Sequence, residues 1–148
     1  MILSAMIVNR ASRYDIRGKR ILTRTDKYYL TDVGLGQIRN SGYRIEIGAL
    51  LENIIYNELL ARGYEVFVGK TTKGEIDFVA TRDGNIEYYQ VAYLLATPEV
   101  TEREFGAFRA INDNYPKYVL SMDKFDFSQE GITHKNILDF LLEKSSSN

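Results

Sequence analysis

The sequence has no cysteine and a single histidine, His134. Without Cys there are no disulfides, thiolate metal sites, Cys nucleophiles or iron–sulfur clusters, and the chain suits a reducing compartment. With one His, a two-histidine metal site is excluded, and acid–base chemistry falls mainly to carboxylates or Lys. No apolar run approaches the about 18 residues of a membrane span. Met1–Val8 is apolar, but no basic stretch precedes it and it runs directly into Asn9 and Arg10, unlike a signal peptide. These absences place the chain in the cytoplasm with no membrane partner. Internal repeats and low-complexity tracts are absent as well.

What is present is the composition of one soluble domain. The 148 residues are 45% hydrophobic and 26% charged, and a chain of this length buries roughly 68–70% of its unfolded surface. Net charge is −1 but unevenly spread. Arg10, Arg13, Arg17, Lys19, Arg20, Arg24 and Lys27 stand against Asp15 and Asp26, a net +5, which leaves −6 for Tyr28–Asn148. A compact basic stretch on an acidic body can mark a phosphate-binding surface. A solvated β-ribbon explains it better, because aromatic residues are thinly interleaved there.

Met1–Thr25 reads as strand, turn, strand around Arg17-Gly18-Lys19, too small to fold alone. Tyr28-Tyr29-Leu30 is a short strand, and Thr31 caps a helical turn through Asp32-Val33-Gly34-Leu35. Gln37–Tyr43 is a polar linker. From Arg44 to Arg62, Ile47, Leu50, Leu51, Ile54, Ile55 and Leu59 recur at helical spacing, and Gly63 supplies the left-handed stop. Strands follow at Tyr64–Val68, Glu75–Thr81 and Ile86–Tyr93, the last two joined by Asp83-Gly84, which suits a type I′ turn. Thr97-Pro98-Glu99 opens a helix carrying Val100, Phe105, Phe108 and Ile111. Tyr118–Ser121 is a strand and Asn136–Glu143 a final helix. The expected architecture is an α/β sandwich around a mixed sheet. His134 is expected in a loop, and the tail 145–148 is expected to fray.

Val68-Gly69-Lys70-Thr71 imitates the end of a P-loop. The pattern needs Gly at position 64, which is Tyr, and the segment leads into another strand rather than a helix. Nucleotide binding is excluded there, and Gly69 reads as a turn residue.

Three features converge on carboxylate chemistry. Glu52 lies about 110° of helical wheel from the apolar centre of its helix, at the border of core and solvent. A salt bridge there explains it equally well. Asp77 follows Glu75-Ile76 on one hairpin strand and alternates away from Ile76, Phe78 and Ala80; Gln90 and Ala92 share a face of the next strand with Tyr88. A hairpin sets these strands side by side, so Glu52, Asp77 and Gln90 are expected in one cavity, an oxygen-rich cluster of the kind hard divalent cations take. Glu58, near the middle of the apolar face, is expected to pair with Arg62.

Gly74-Glu75-Ile76-Asp77 followed by Gln90-Val91-Ala92, with a helical Glu eleven residues before Gly63-Tyr64, resembles the PD-(D/E)xK nuclease superfamily, its Holliday-junction-resolvase-like branch most of all. Over nearly the whole chain, Arg13–Lys19, Lys27–Leu35, Leu51–Leu59, Gln90–Tyr93 and Arg103-Glu104-Phe105 resemble the C-terminal domain of bacterial and archaeal ATPases of the AAA superfamily. The resemblance implies a restriction-endonuclease-like fold over 44–144, with 1–36 a strand-rich remnant of a preceding winged-helix region and 37–43 a linker. ATP would bind a P-loop module that this chain does not contain. In active members the Asp and strand Glu bind magnesium and a Lys two residues on activates water. Here these positions are Asp77, Gln90 and Ala92, so the resemblance implies weak magnesium binding at most by Glu52, Asp77 and Gln90, with Lys70 or Lys73 as the candidate displaced lysine. The reading is a catalytically degenerate module contacting DNA or partner proteins, the ATPase module among them. The alternatives are an active magnesium-dependent nuclease and a homodimerisation module, the last suggested by eleven Tyr and an acidic body.

Overall fold

The structure is a computed structural model, and it describes residues 8–31 and 46–143. Strands β1 (Val8–Asp15) and β2 (Arg20–Leu30) precede helix α1 (Ile47–Ala61). Then come β3 (Glu65–Lys70), β4 (Glu75–Arg82), β5 (Asn85–Val91), α2 (Pro98–Gly106) with a 3₁₀ turn at Ala107–Ala110, β6 (Lys117–Ser121), β7 (Thr133–Asn136) and α3 (Ile137–Leu142). The strands form one mixed sheet in the order β2-β1-β3-β4-β5-β6-β7. Its β1–β2, β3–β4 and β4–β5 pairs are antiparallel; β1–β3, β5–β6 and β6–β7 are parallel.

Two apolar clusters, one on each side of the sheet, explain this layering. Ile55, Tyr56 and Leu59 of α1, with Ile137 and Phe140 of α3, pack on Ala11, Tyr29, Val66, Phe78, Ala80, Tyr89 and Leu120. Phe105, Phe108 and Ile111 pack on Ile16, Ile76, Val79, Tyr88, Ala92 and Val119. Adjacent β6 residues Val119 and Leu120 divide between the clusters, as strand alternation requires.

Local chemistry sets the element ends. Gly63 stops α1 at φ +86°, where Gly63 N donates to Leu60 O and Tyr64 N to Leu59 O, a Schellman closure. Asp83 and Gly84 both have positive φ, 52° and 79°, as a type I′ turn needs. Thr97 Oγ1 accepts from Val100 N, with Pro98 behind it. Arg62 Nε donates to Glu58 Oε1 at 3.0 Å, and its guanidinium stacks over the Phe140 ring.

The structure departs from the sequence reading in four places. Residues 8–30 share the sheet of the following region: β1 runs parallel to β3, and Ala11 and Tyr29 are buried in the α1-side cluster. Residues 20–30 form one long strand, because β2 pairs along β1 on both sides of a bulge. His134 lies in β7, not in a loop. Gly69 lies inside β3 rather than in a turn; a Cβ there would stand 2.9 Å from both Ile16 Cδ1 and Val79 Cγ2, so close packing demands Gly. The helical turn after Thr31, the linker 37–43, the first residues expected in α1 and the tail 145–148 lie outside the described residues.

Candidate functional site

The strands that carry Asp77 and Gln90 part company where these residues sit. β4 and β5 pair from Arg82↔Asn85 up to Phe78↔Tyr89, and beyond that point side chains replace the ladder. Asp77 N donates to Gln90 Oε1 at 2.7 Å, and Val91 N donates to Asp77 Oδ2 at 2.8 Å. Each residue thus holds the other's strand. On the other side of β4 the register slips between Phe67↔Val79 and Gly69↔Ile76, with one residue extra on β4. This bulge corrects the simple alternation: Ile76 faces the α2 side and Phe78 the α1 side, with Asp77 between them.

Glu52 arrives from α1. Lys27 Nζ donates to Glu52 Oε1 at 2.6 Å, and Tyr29 OH donates to the same oxygen at 2.7 Å. Lys27 and Tyr29 share a face of β2 because they are two residues apart. Helix and strand are locked further along: Leu30 N donates to Asn53 Oδ1, while Asn53 Nδ2 and Asn57 Nδ2 both donate to Leu30 O. From the other side of the sheet comes Glu104 on α2, 6% exposed, whose Oε2 accepts from Gln90 Nε2 at 3.2 Å and whose Oε1 accepts from Arg103.

Glu52, Asp77, Gln90 and Glu104 all line one cavity of about 640 Å³, with Lys73, Glu75 and Arg103 around it. Lys70, at the end of β3, does not line it. Burial first, and then the neighbouring Glu52 carboxylate, push the Asp77 carboxyl up to about 7 from its ordinary 3.8. Burial likewise raises Glu104 and, with Glu52 beside it, Tyr29.

The pH consequence follows from linkage. Folded Asp77 keeps its proton to about pH 7 while the unfolded chain releases it near 3.8, so stability falls as pH rises through that interval. Asn at 77 still accepts from Val91 N but cannot ionise. Asp77→Asn is therefore expected to match the native chain at pH 4 and to exceed it at pH 7.5 by on the order of 1–2 kcal/mol, after discounting for solvent contact. Urea midpoints across that range give the measurement.

Three of the oxygens here already accept protein donors. Glu52 Oε1 already takes two donors, Asp77 Oδ2 takes Val91 N, and Gln90 Oε1 takes Asp77 N. The Gln90 carbonyl, expected as a cation ligand, instead closes the sheet: only its oxygen can face an N–H, which directs the NH₂ to Glu104. Among the described residues no group of three or more His, Cys, Asp or Glu side chains is placed to hold a metal ion.

Three members of the site lie beyond the sequence reading. Lys27 and Tyr29 form a legible i, i+2 pair only once residues 20–30 are taken as one strand. Glu104 is masked by the apolar stripe beside it. A second polar cluster holds Ser121, His134 and Asp123. Phe127 N donates to His134 Nδ1, so Nε2 carries the proton and donates to Ser121 Oγ at 2.8 Å, and the hydroxyl donates to Asp123 Oδ2 at 2.8 Å. The histidine nitrogen that faces the serine carries a proton and cannot act as its base, so the cluster is a buried tie between β6 and β7. Ser121→Ala strands the His134 Nε2–H and is expected to cost about 1–3 kcal/mol, read as a lower urea midpoint at an unchanged m-value.

A protein from Haemophilus influenzae, described only as uncharacterized, is 36% identical over 144 residues, which cover 97% of this chain and 35% of that protein. The chain thus spans about a third of the length of the curated relative it matches. No family model matches, and no solved structure does. No helix among the described residues is long and apolar enough to cross a membrane.

Proposed function

We propose that the chain is a restriction-endonuclease-like domain of the PD-(D/E)xK superfamily, the C-terminal part of an AAA-superfamily ATPase, whose former phosphodiesterase site now serves contact with nucleic acid rather than cleavage. The observation that carries this reading is the meeting of Glu52, Asp77 and Gln90 in one cavity where β4 and β5 part. Ala92, where the superfamily's lysine stands, is buried in the α2-side cluster and offers no ammonium. The mixed sheet with helices on both faces is compatible with that fold, and the H. influenzae relative is long enough to carry a further module.

One observation favours the enzyme reading. Lys27, rather than Lys70 or Lys73, places an ammonium 2.6 Å from Glu52. Incubation with branched and single-stranded DNA in magnesium separates the two. The binding reading expects retarded but intact DNA in a native gel. Cleavage that disappears in both Asp77→Asn and Lys27→Met would replace it with a nuclease.

A further inference from the structure

The basic stretch of residues 10–27 meets the cavity's Glu52 through Lys27, yet the fold gives the rest of it a definite place. The β1–β2 turn, residues 16–19, and the β3–β4 turn, residues 71–74, emerge side by side at one end of the sheet. Asp15 stands opposite Lys70 in the parallel ladder, and Ile16 N donates to Lys70 O at 3.1 Å. Arg17 and Lys19 are exposed on the first turn with Arg20 just after it, and Lys73 is exposed on the second with Lys70 just before it. Arg20 lies 3.7 Å from Asp15; among the described residues no carboxylate is within ion-pair distance of Arg17, Lys19, Lys70 or Lys73. The same end opens into the carboxylate cavity, whose wall includes Thr71, Lys73 and Gly74, and Arg13 ties β1 to its rim by donating to Glu75 at 3.1 Å.

Unpaired cations on two adjoining turns, set on a body that carries −6 from Tyr28 onward, form a narrow positive border. A broad acidic protein surface laid on it would also meet the negative body. A phosphodiester strand presents its charge along a line and touches the border alone. We propose that the β1–β2 and β3–β4 turns form a binding rim for the sugar–phosphate backbone of a nucleic acid passing the mouth of the cavity. This rests on the nucleic-acid reading above and adds the surface that makes the contact. Such a rim reads charge and not sequence, so binding is expected to be salt-steep and indifferent to base order.

The test is fluorescence anisotropy of the 148-residue chain with a labelled mixed-sequence DNA duplex of about 20 base pairs, between about 50 and 200 mM salt. A labelled poly-glutamate peptide is titrated in parallel. With roughly four phosphate contacts, the native log–log salt slope is expected near about −3.6. The variant Arg17→Gln/Lys19→Gln/Lys70→Gln/Lys73→Gln changes only exposed side chains; its far-UV spectrum and Tm check the fold. Its slope is expected to flatten to about −1 or less, with at least about tenfold weaker binding at the lowest salt. Lys124→Gln/Lys135→Gln, beside α3, is expected to bind as the native chain does. Native-like duplex binding by the quadruple variant overturns the rim and leaves the nucleic-acid reading standing. Poly-glutamate bound in place of duplex, or neither bound, overturns both.

Discussion

Gln90→Glu is expected to lower the Tm in EDTA by about 5 °C and to recover it in magnesium, whereas the native chain responds to neither. The loss has two sources. The amide N–H that Glu104 accepts is removed, and a carboxylate takes its place against a buried carboxyl. A stranded buried acceptor costs about 1–3 kcal/mol, which in a domain of this size lowers Tm by roughly 2–4 °C per kcal/mol. Asp77 N still finds an oxygen at position 90, so the sheet stays closed and the damage is electrostatic. A hard cation can then answer the charge shared by Asp77, Glu104 and the carboxylate introduced between them. At a hundredfold excess over Kd it would restore about 2.7 kcal/mol. Adding Ala92→Lys would set an ammonium beside this cluster, and the double variant is the form in which DNA cleavage should be sought. Thermal melts with and without magnesium, and calorimetric titration, provide the readout. A native chain that already gains several degrees in magnesium would show the site to be intact.

Phe78→Ala is expected to remove about 3–5 kcal/mol, the range for emptying a fully buried aromatic position, and about 10 °C of Tm. Phe78 is fully buried, with Tyr29 and Tyr56 at centroid distances of 5.6 and 5.8 Å, while Tyr29 and Tyr56 stack at 4.2 Å. The trio joins the edge strand, the long helix and the strand that carries Asp77. Unfolding followed by far-UV circular dichroism and by tyrosine fluorescence should therefore remain a single transition in the variant, merely displaced. Amide exchange should protect Ala11 and Tyr29 as strongly as Ile55. Two transitions, or early exchange confined to 8–30, would restore the view of the first strands as an appendage.

That view shows where the sequence is legible. Periodicity and turn chemistry locate α1, the Asp83-Gly84 hairpin and the Thr97 cap, because each depends on neighbours a few residues apart. They also carry Glu52, Asp77 and Gln90 to one place, since helix phase and a hairpin act locally. What they do not carry is long-range. The pairing of β1 with β3 joins residues more than fifty apart, and nothing near Arg13 announces Val68. β7 escapes a local reading because Thr133–Asn136 is polar and owes its strand to β6. Gly69 misleads for the same reason: its requirement comes from Ile16 and Val79. Lys27 and Glu104 enter the site from elements with other evident duties, and only the assembled sheet brings them to Glu52 and Gln90.

The contact between Gln90 and Glu104 turns two distant positions into one heritable unit. One partner must donate and the other accept. A chain of this architecture with a carboxylate at position 90 needs an amide, hydroxyl or ammonium at 104, or a cation between the two. A chain with an amide at 90 can keep its acid at 104 and needs no ion. Related sequences should consequently fall into two groups by this pair of letters, and descent from one group to the other should pass through both positions together. The pair would sort ion-dependent members from ion-free ones before any of them was purified.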